Sequence, residues 1–131
     1  MEKGKKTILL AEDDLFLSSL LRARLIKENF NVVHAKDGEE ALTFLQSNKP
    51  DLVLLDIILP KKSGFEVLEA VRSDPQSENY PIIIISNLGQ DSDIQRGKEL
   101  GVIDYVIKAR TSIDDLVNKV KTTVENPVAS G

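Results

Sequence analysis

The stretch that most constrains this chain is Asp51-Leu52-Val53-Leu54-Leu55-Asp56-Ile57-Ile58-Leu59-Pro60. Leu52 to Leu55 are apolar without alternation. A strand covered on both faces reads this way, although so short a run also fits a piece of buried helix. The run ends on Asp56, and a carboxylate at the end of a buried strand is costly unless it is paired, solvated or bound to a metal. Pro60 then interrupts the chain and Gly64 lets it turn, which sets Asp56 at the mouth of a loop. In open parallel sheets ligands bind at that edge, beyond the carboxyl ends of the strands. The plain alternative is that Asp56 merely caps a turn, and the rest of the chain decides against it.

The same pattern recurs along the sequence. Thr7-Ile8-Leu9-Leu10-Ala11 is an unbroken apolar run that ends in Glu12-Asp13-Asp14. Leu17, Leu20, Leu21, Leu25 and Ile26 follow at helical spacing, with Arg22, Arg24, Lys27 and Glu28 opposite them. Asn31 to Ala35 form a short second strand. Asp37 is placed to cap a second helix with Glu40 as the reciprocal carboxylate, and Ala41, Leu42 and Leu45 give it a buried side. Ser63 and Glu66 repeat that signature ahead of the stripe Phe65, Leu68 and Val71. Pro81 and Ile82 to Ile85 make the clearest strand, β-branched and closed by Ser86-Asn87. A polar helix is expected from about Asp91 to Leu100, with Gly101 as its left-handed terminus. Val102 to Ile107 read as a fifth strand ending on Lys108. Ser112 opens a last helix striped by Ile113, Leu116, Val117, Val120 and Val124.

Strand and helix thus alternate with short connections, which predicts an α/β fold: a parallel sheet with helices on both faces. The 131 residues suit one domain, with a core over about 7–124 and flexible ends at 1–6 and 126–131. With no cysteine there is no disulfide framework, thiolate zinc site or thiol nucleophile. No apolar run approaches the ~20 residues of a membrane helix, and the basic start is no secretory signal, so a cytoplasmic protein without membrane contact is expected. A formal charge of −4 and 5% aromatics speak against nucleic acid as a partner.

A parallel sheet delivers the last residues of every strand to one edge. That edge receives Asp13 and Asp14, then Asp56, Ser86 and Lys108. If the first and third strands are neighbours, three carboxylates converge there, and each like-charge pair at ~4 Å costs about 4 kcal/mol at an effective dielectric of ~20. Either a proton is taken up or a cation binds. An all-oxygen site suits a hard ion, Mg²⁺ before Mn²⁺ or Ca²⁺. Lys108 is on the plain reading the counterion of Asp56 in a buried salt bridge, but that leaves the acidic pair unexplained. Carboxylate, cation, lysine and hydroxyl together are what phosphoryl transfer to an aspartate requires.

These residues resemble the receiver domain of two-component response regulators, in a single-domain, chemotaxis-regulator-like form, over about Thr7 to Val124. The likeness rests on Glu12-Asp13-Asp14, on Asp56 with Pro60 and Gly64, on Ser86, and on Tyr105 with Lys108. It implies a doubly wound five-stranded sheet of order 2-1-3-4-5, a flavodoxin-like three-layer sandwich. It also implies roles: Asp56 the phosphoacceptor, Asp14 a direct Mg²⁺ ligand, Asp13 acting through water, and the backbone carbonyl of Ile58 completing the protein ligands. Lys108 holds a phosphoryl oxygen, Ser86 is the switch hydroxyl, and Tyr105 is the aromatic that turns inward on activation. The implied partners are a histidine kinase or histidine phosphotransfer protein, and a downstream protein reached through the fourth helix, fifth strand and fifth helix. Such a switch catalyses only its own phosphorylation and dephosphorylation.

Three positions depart from the family pattern: Ala109 where proline usually follows the lysine in a cis bond, Asn87 where alanine usually follows the hydroxyl, and Ser63 where an acid often precedes the glycine. They bear on rates and loop geometry and remove no catalytic group; Asn87 either narrows the entrance or adds a hydrogen bond. A cis bond before a non-proline residue costs ∼2.5–4 kcal/mol, against about 0.5–1 before proline, so a trans Lys108–Ala109 bond is expected. His34, the only histidine, reads as a surface residue beside the second strand and away from the site edge. Lys61-Lys62 read as a solvated pair, and Gly97 marks the fourth helix as one of the looser elements. The main rival is an aspartyl-nucleophile phosphatase, but that chemistry resembles Asp-x-Asp-x-Thr after a first strand, whereas here position 58 is Ile. An FMN carrier of similar fold needs a phosphate loop that Glu12-Asp13-Asp14 would repel. A degenerate receiver that only docks partners would not need both Asp56 and Lys108.

Overall fold

The computed structural model describes residues 4–75 and 80–125. The apolar runs become the strands β1 (Thr7–Ala11), β2 (Asn31–Ala35), β3 (Leu52–Leu55), β4 (Ile82–Ser86) and β5 (Asp104–Ile107). Between them lie the helices α1 (Leu15–Lys27), α2 (Gly38–Ser47), α3 (Gly64–Ser73), α4 (Asp91–Glu99) and α5 (Ile113–Glu125). The sheet is wholly parallel in the order β2-β1-β3-β4-β5, as the resemblance implies, so β1 and β3 are neighbours.

Because side chains alternate faces along a strand, each unbroken run feeds two cores at once. Leu9, Val53, Leu55 and Ile84 pack with Ala41, Leu45, Phe65, Leu68 and Val71 on one side. Ile8, Leu10, Leu54, Ile83 and Ile85 pack with Leu21, Leu25, Leu116, Val117 and Val120 on the other. On α1 the buried positions are Ser18, Leu21 and Leu25, whereas Leu20 and Ile26 stand 38% and 51% exposed. They flank the i, i+4 row that faces the sheet, so the buried stripe is narrower than the spacing of leucines suggested.

The caps follow the sequence closely. Ser63 and Glu66 form a reciprocal capping box on α3. Asp37 accepts the Glu40 amide at 2.8 Å, but the Glu40 carboxylate reaches back to the Lys36 amide, one residue earlier than expected. Gly101 takes a left-handed φ of +79°, and the Gly101 and Val102 amides close α4 onto the Lys98 and Gly97 carbonyls. Val102 is thereby spent on ending the helix, so β5 begins at Asp104 instead of Val102.

No peptide bond among the described residues is cis, and the chain passes Lys108–Ala109 in trans, entering a 3-10 turn over Lys108–Arg110. Residues 1–3 and 126–131 of the expected flexible ends lie outside the described residues, while Lys6 is tied to the sheet, its carbonyl accepting the Asn31 amide at 2.9 Å. No helix of the described residues is long and apolar enough to cross a membrane.

Candidate functional site

The carboxyl ends of β1, β3, β4 and β5 meet at one edge. Asp56 directly follows β3, and its amide donates to the Ala11 carbonyl at 3.0 Å, which extends the β1–β3 ladder by one step. Its side chain is buried at 3% exposure. Both carboxylate oxygens are engaged: Oδ1 accepts the Ile58 amide at 3.1 Å and Oδ2 accepts the Lys108 ammonium at 2.7 Å. Gly64 opens α3 so close behind that a Cβ there would lie 2.3 Å from the Asp56 carbonyl oxygen and 2.8 Å from Ile57 Cα. Only glycine permits that approach, which explains its place in the sequence better than turn freedom does.

Lys108 bridges two carboxylates. Its ammonium lies 2.6 Å from Glu12 Oε1 as well as 2.7 Å from Asp56 Oδ2. Burial works to lower its pKa, but bonding to Asp56 and Glu12 outweighs this and holds it above the ordinary lysine value. Glu12 is fully buried, and burial pushes its pKa up, aided by the Asp56 charge and opposed by Lys108 and by the Asp14 amide. That amide donates to Glu12 Oε2 at 3.0 Å.

Oxygens of Glu12, Asp13 and Asp56 lie within 4.8 Å of one another, the one such acidic group among the described residues. This revises the set read from the sequence, which held Asp13, Asp14 and Asp56. Asp14 is spent as the N-cap of α1, its Oδ1 accepting the Phe16 and Leu17 amides at 3.0 and 3.1 Å. The signal was present, since an aspartate immediately before a helical apolar run is a cap candidate. Glu12, left without a role in the sequence reading, is instead the innermost acid of the pocket.

The remaining expected residues sit one strand further along. Ser86 ends β4, fully buried, with its hydroxyl accepting the Leu88 amide at 3.3 Å. Tyr105 on β5 is half-buried with its ring against α4, where a Cβ on Gly97 would come 3.2 Å from Cδ2. Its hydroxyl donates to the Leu88 carbonyl. Burial first, then the Asp93 and Asp56 charges, push its phenol up to about 12. Gly97 therefore makes room for an aromatic, and α4 is held to α3 by Arg96 over the Phe65 ring and paired with Glu69. Gly97 is the one buried residue of α4, and the Arg96 and Glu69 side chains stand half exposed, so the helix packs through few buried contacts.

His34 lies within β2, half-buried, and comes closer to the site edge than expected, its Nε2 2.7 Å from the Glu12 backbone carbonyl oxygen. Lys61 is not merely solvated. It adopts a left-handed φ of 69° and sets its ammonium 3.7 Å from Asp37 Oδ2.

Comparison with known proteins agrees with this geometry. The family model described as response regulator receiver domain matches residues 8–121. The transcriptional regulatory protein CpxR of Escherichia coli is 45% identical over 101 residues, covering 77% of this chain and 42% of that protein. The probable transcriptional regulator ycf27 of Cyanophora paradoxa is 37% identical over 132 residues, covering 99% of this chain and 54% of its own length. The chain thus spans about half the length of such relatives. Among solved structures, the receiver domain of the Francisella response regulator 1452 superposes with a TM-score of 0.85 at 27% identity, covering 94% of this chain and 99% of that one. The phosphorylated cyanobacterial phytochrome response regulator RcpA gives a TM-score of 0.80 at 31% identity, covering 98% and 97%.

Proposed function

Because the chain belongs to the receiver-domain family of two-component response regulators, we propose that it is a signalling switch operated by phosphorylation of Asp56. The observation that carries this reading is the pairing of buried Asp56 with Lys108, beside an acidic group too crowded to serve stability alone. The donor is the phosphohistidine of a kinase or phosphotransfer protein. An Asp56 carboxylate oxygen attacks phosphorus in line, an O–P bond forms as the N–P bond to imidazole breaks, and the freed imidazole takes up a proton. Lys108 stays within reach of the phosphoryl oxygens and neutralises part of their charge.

The donor set fits Mg²⁺: carboxylates only, converging at ligand spacing, with Glu12 drawn toward its neutral form by burial. Asp13, Asp56 and the backbone carbonyl of Ile58 would hold the ion, with Glu12 acting through water and Asp14 left to its helix. Bound there, the ion supplies positive charge to the incoming phosphoryl group. Ser86 then turns from the Leu88 amide toward the phosphoryl oxygens. The Leu88 carbonyl is also the acceptor of Tyr105, so this shift is passed to the surface of α4, β5 and α5, where the downstream protein binds. The receiver domain catalyses only its own phosphorylation and dephosphorylation, in the cytoplasm.

Incubation with Mg²⁺ and acetyl phosphate, followed by intact-mass measurement, tests the reading. One phosphoryl group on Asp56 is expected, lost in Asp56→Asn and without Mg²⁺. Equal phosphorylation of Asp56→Asn at another residue would falsify the assignment.

A further inference from the structure

Two residues that depart from the family pattern meet each other. The Ala109 amide donates to Asn87 Oδ1 at 2.9 Å. A proline at 109 would have no N–H to give, and an alanine at 87 would have no oxygen to receive it. Lys108 lies between two fastened neighbours: Ile107 is the last β5 residue in register with β4, opposite Ser86, and Ala109 is held by the side chain that follows Ser86. The ammonium must reach Glu12 and Asp56 together at 2.6 and 2.7 Å from the end of a flexible stem. Fixing the backbone on both sides of Lys108 limits where that stem can start.

We propose that Asn87 is a positioning residue for phosphoryl transfer, which acts through the Ala109 amide to hold Lys108 over Asp56. The clasp also ties the end of β4, which bears the Ser86 hydroxyl, to the turn that bears Lys108. A shift of Ser86 toward a phosphoryl group then carries the lysine with it. This deepens the phosphoacceptor reading and rests on it.

The test compares Asn87→Ala and Asn87→Asp with a control, Asn48→Ala. Asn48 makes a similarly exposed hydrogen bond, from Nδ2 to the Phe44 carbonyl at 3.1 Å, and it precedes β3 whereas Asp56 follows it, so the two lie beyond opposite ends of that strand. For each protein three quantities are measured: the exchange rate of the Ala109 amide, the rate of Asp56 phosphorylation by acetyl phosphate with Mg²⁺, and the thermal midpoint. Asn87→Ala should speed Ala109 exchange and slow phosphorylation by roughly two- to tenfold, the span of one modest hydrogen bond. Asn87→Asp, which keeps an acceptor, should restore slow exchange. Asn48→Ala should leave both rates at wild type. The inference is overturned if Asn87→Ala keeps the wild-type phosphorylation rate or Ala109 exchange, or if Asn48→Ala slows phosphorylation as much. Wild-type protein that gains no phosphoryl group at all overturns the phosphoacceptor reading, and this inference with it.

Discussion

Replacing Lys108 by methionine isolates the electrostatics of the pocket, because methionine keeps much of the stem and removes only the ammonium. Glu12 and Asp56 then face each other with oxygens no more than 4.8 Å apart and nothing positive between them. At that separation two charges repel by about 3.5 kcal/mol at an effective dielectric of ~20. The figure is of the same order as the roughly 3–5 kcal/mol lost when one member of a buried pair is removed. For a domain of this size a loss of ~3 kcal/mol lowers the thermal midpoint by roughly 10 °C. The loss should also depend on pH, with a sign the structure fixes. The Glu12 pKa already lies above its ordinary value of 4.5 through burial and the Asp56 charge, and Lys108 is what restrains it. Without that restraint it rises further. A carboxyl whose folded pKa exceeds its unfolded one favours the fold increasingly as pH falls through the folded pKa. Circular-dichroism melts between neutral pH and the ordinary glutamate range should therefore show the gap between Lys108→Met and wild type closing on acidification. At neutral pH, added Mg²⁺ should narrow it too. A variant that melts with wild type at neutral pH, or whose deficit widens on acidification, would refute the reasoning.

Three further outcomes follow from contacts elsewhere. Gly97→Ala gains about 1 kcal/mol of helix propensity, but its Cβ would stand 3.1 Å from Ile84 Cδ1, 3.2 Å from Tyr105 Cδ2 and 3.3 Å from Val102 Cγ2. Overpacking at about 1–3 kcal/mol should win, so urea unfolding is expected to show a net loss together with shifted Tyr105 ring resonances; a more stable variant with an unmoved ring would contradict this. Lys61→Gly relieves a left-handed side chain at φ 69°, worth about 1–2 kcal/mol, against about 0.5–1 kcal/mol of extra glycine entropy. A small rise in thermal midpoint is expected, and a fall would show that the contact to the buried Asp37 outweighs the strain. Tyr105, with its phenol pushed to about 12 against an ordinary 10.0, stabilises the fold below the ordinary value and ceases to as pH rises through the folded one. Burial pushes the Tyr80 phenol up as well, so ultraviolet titration should show both tyrosines titrating late, and Tyr105→Phe should remove part of that late phase; an undiminished late phase in that variant would refute the assignment.

Much of the protein is legible in its sequence because the determining signals are local. Runs such as Ile82–Ile85 are too apolar for anything but a strand covered on both faces, and Ser63 with Glu66 announces a helix start within four residues. Asp56 and Lys108 each stand where a buried strand stops, and a parallel sheet brings all such ends to one edge, so their meeting followed from topology alone. Side-chain direction at that edge was decided only by tertiary structure. Three consecutive acids, Glu12 to Asp14, read alike as letters, yet their side chains diverge as the backbone leaves the strand. Glu12 turns inward to Lys108, Asp13 faces the mouth, and Asp14 serves the amides of α1. The same holds for Asn87 and Ala109, 22 positions apart, each a departure visible in the sequence but with no sign there that the two meet. Propensity and hydrophobic period act over a few residues and survive in any fold. A hydrogen bond between loops exists only once the strands that carry them lie side by side.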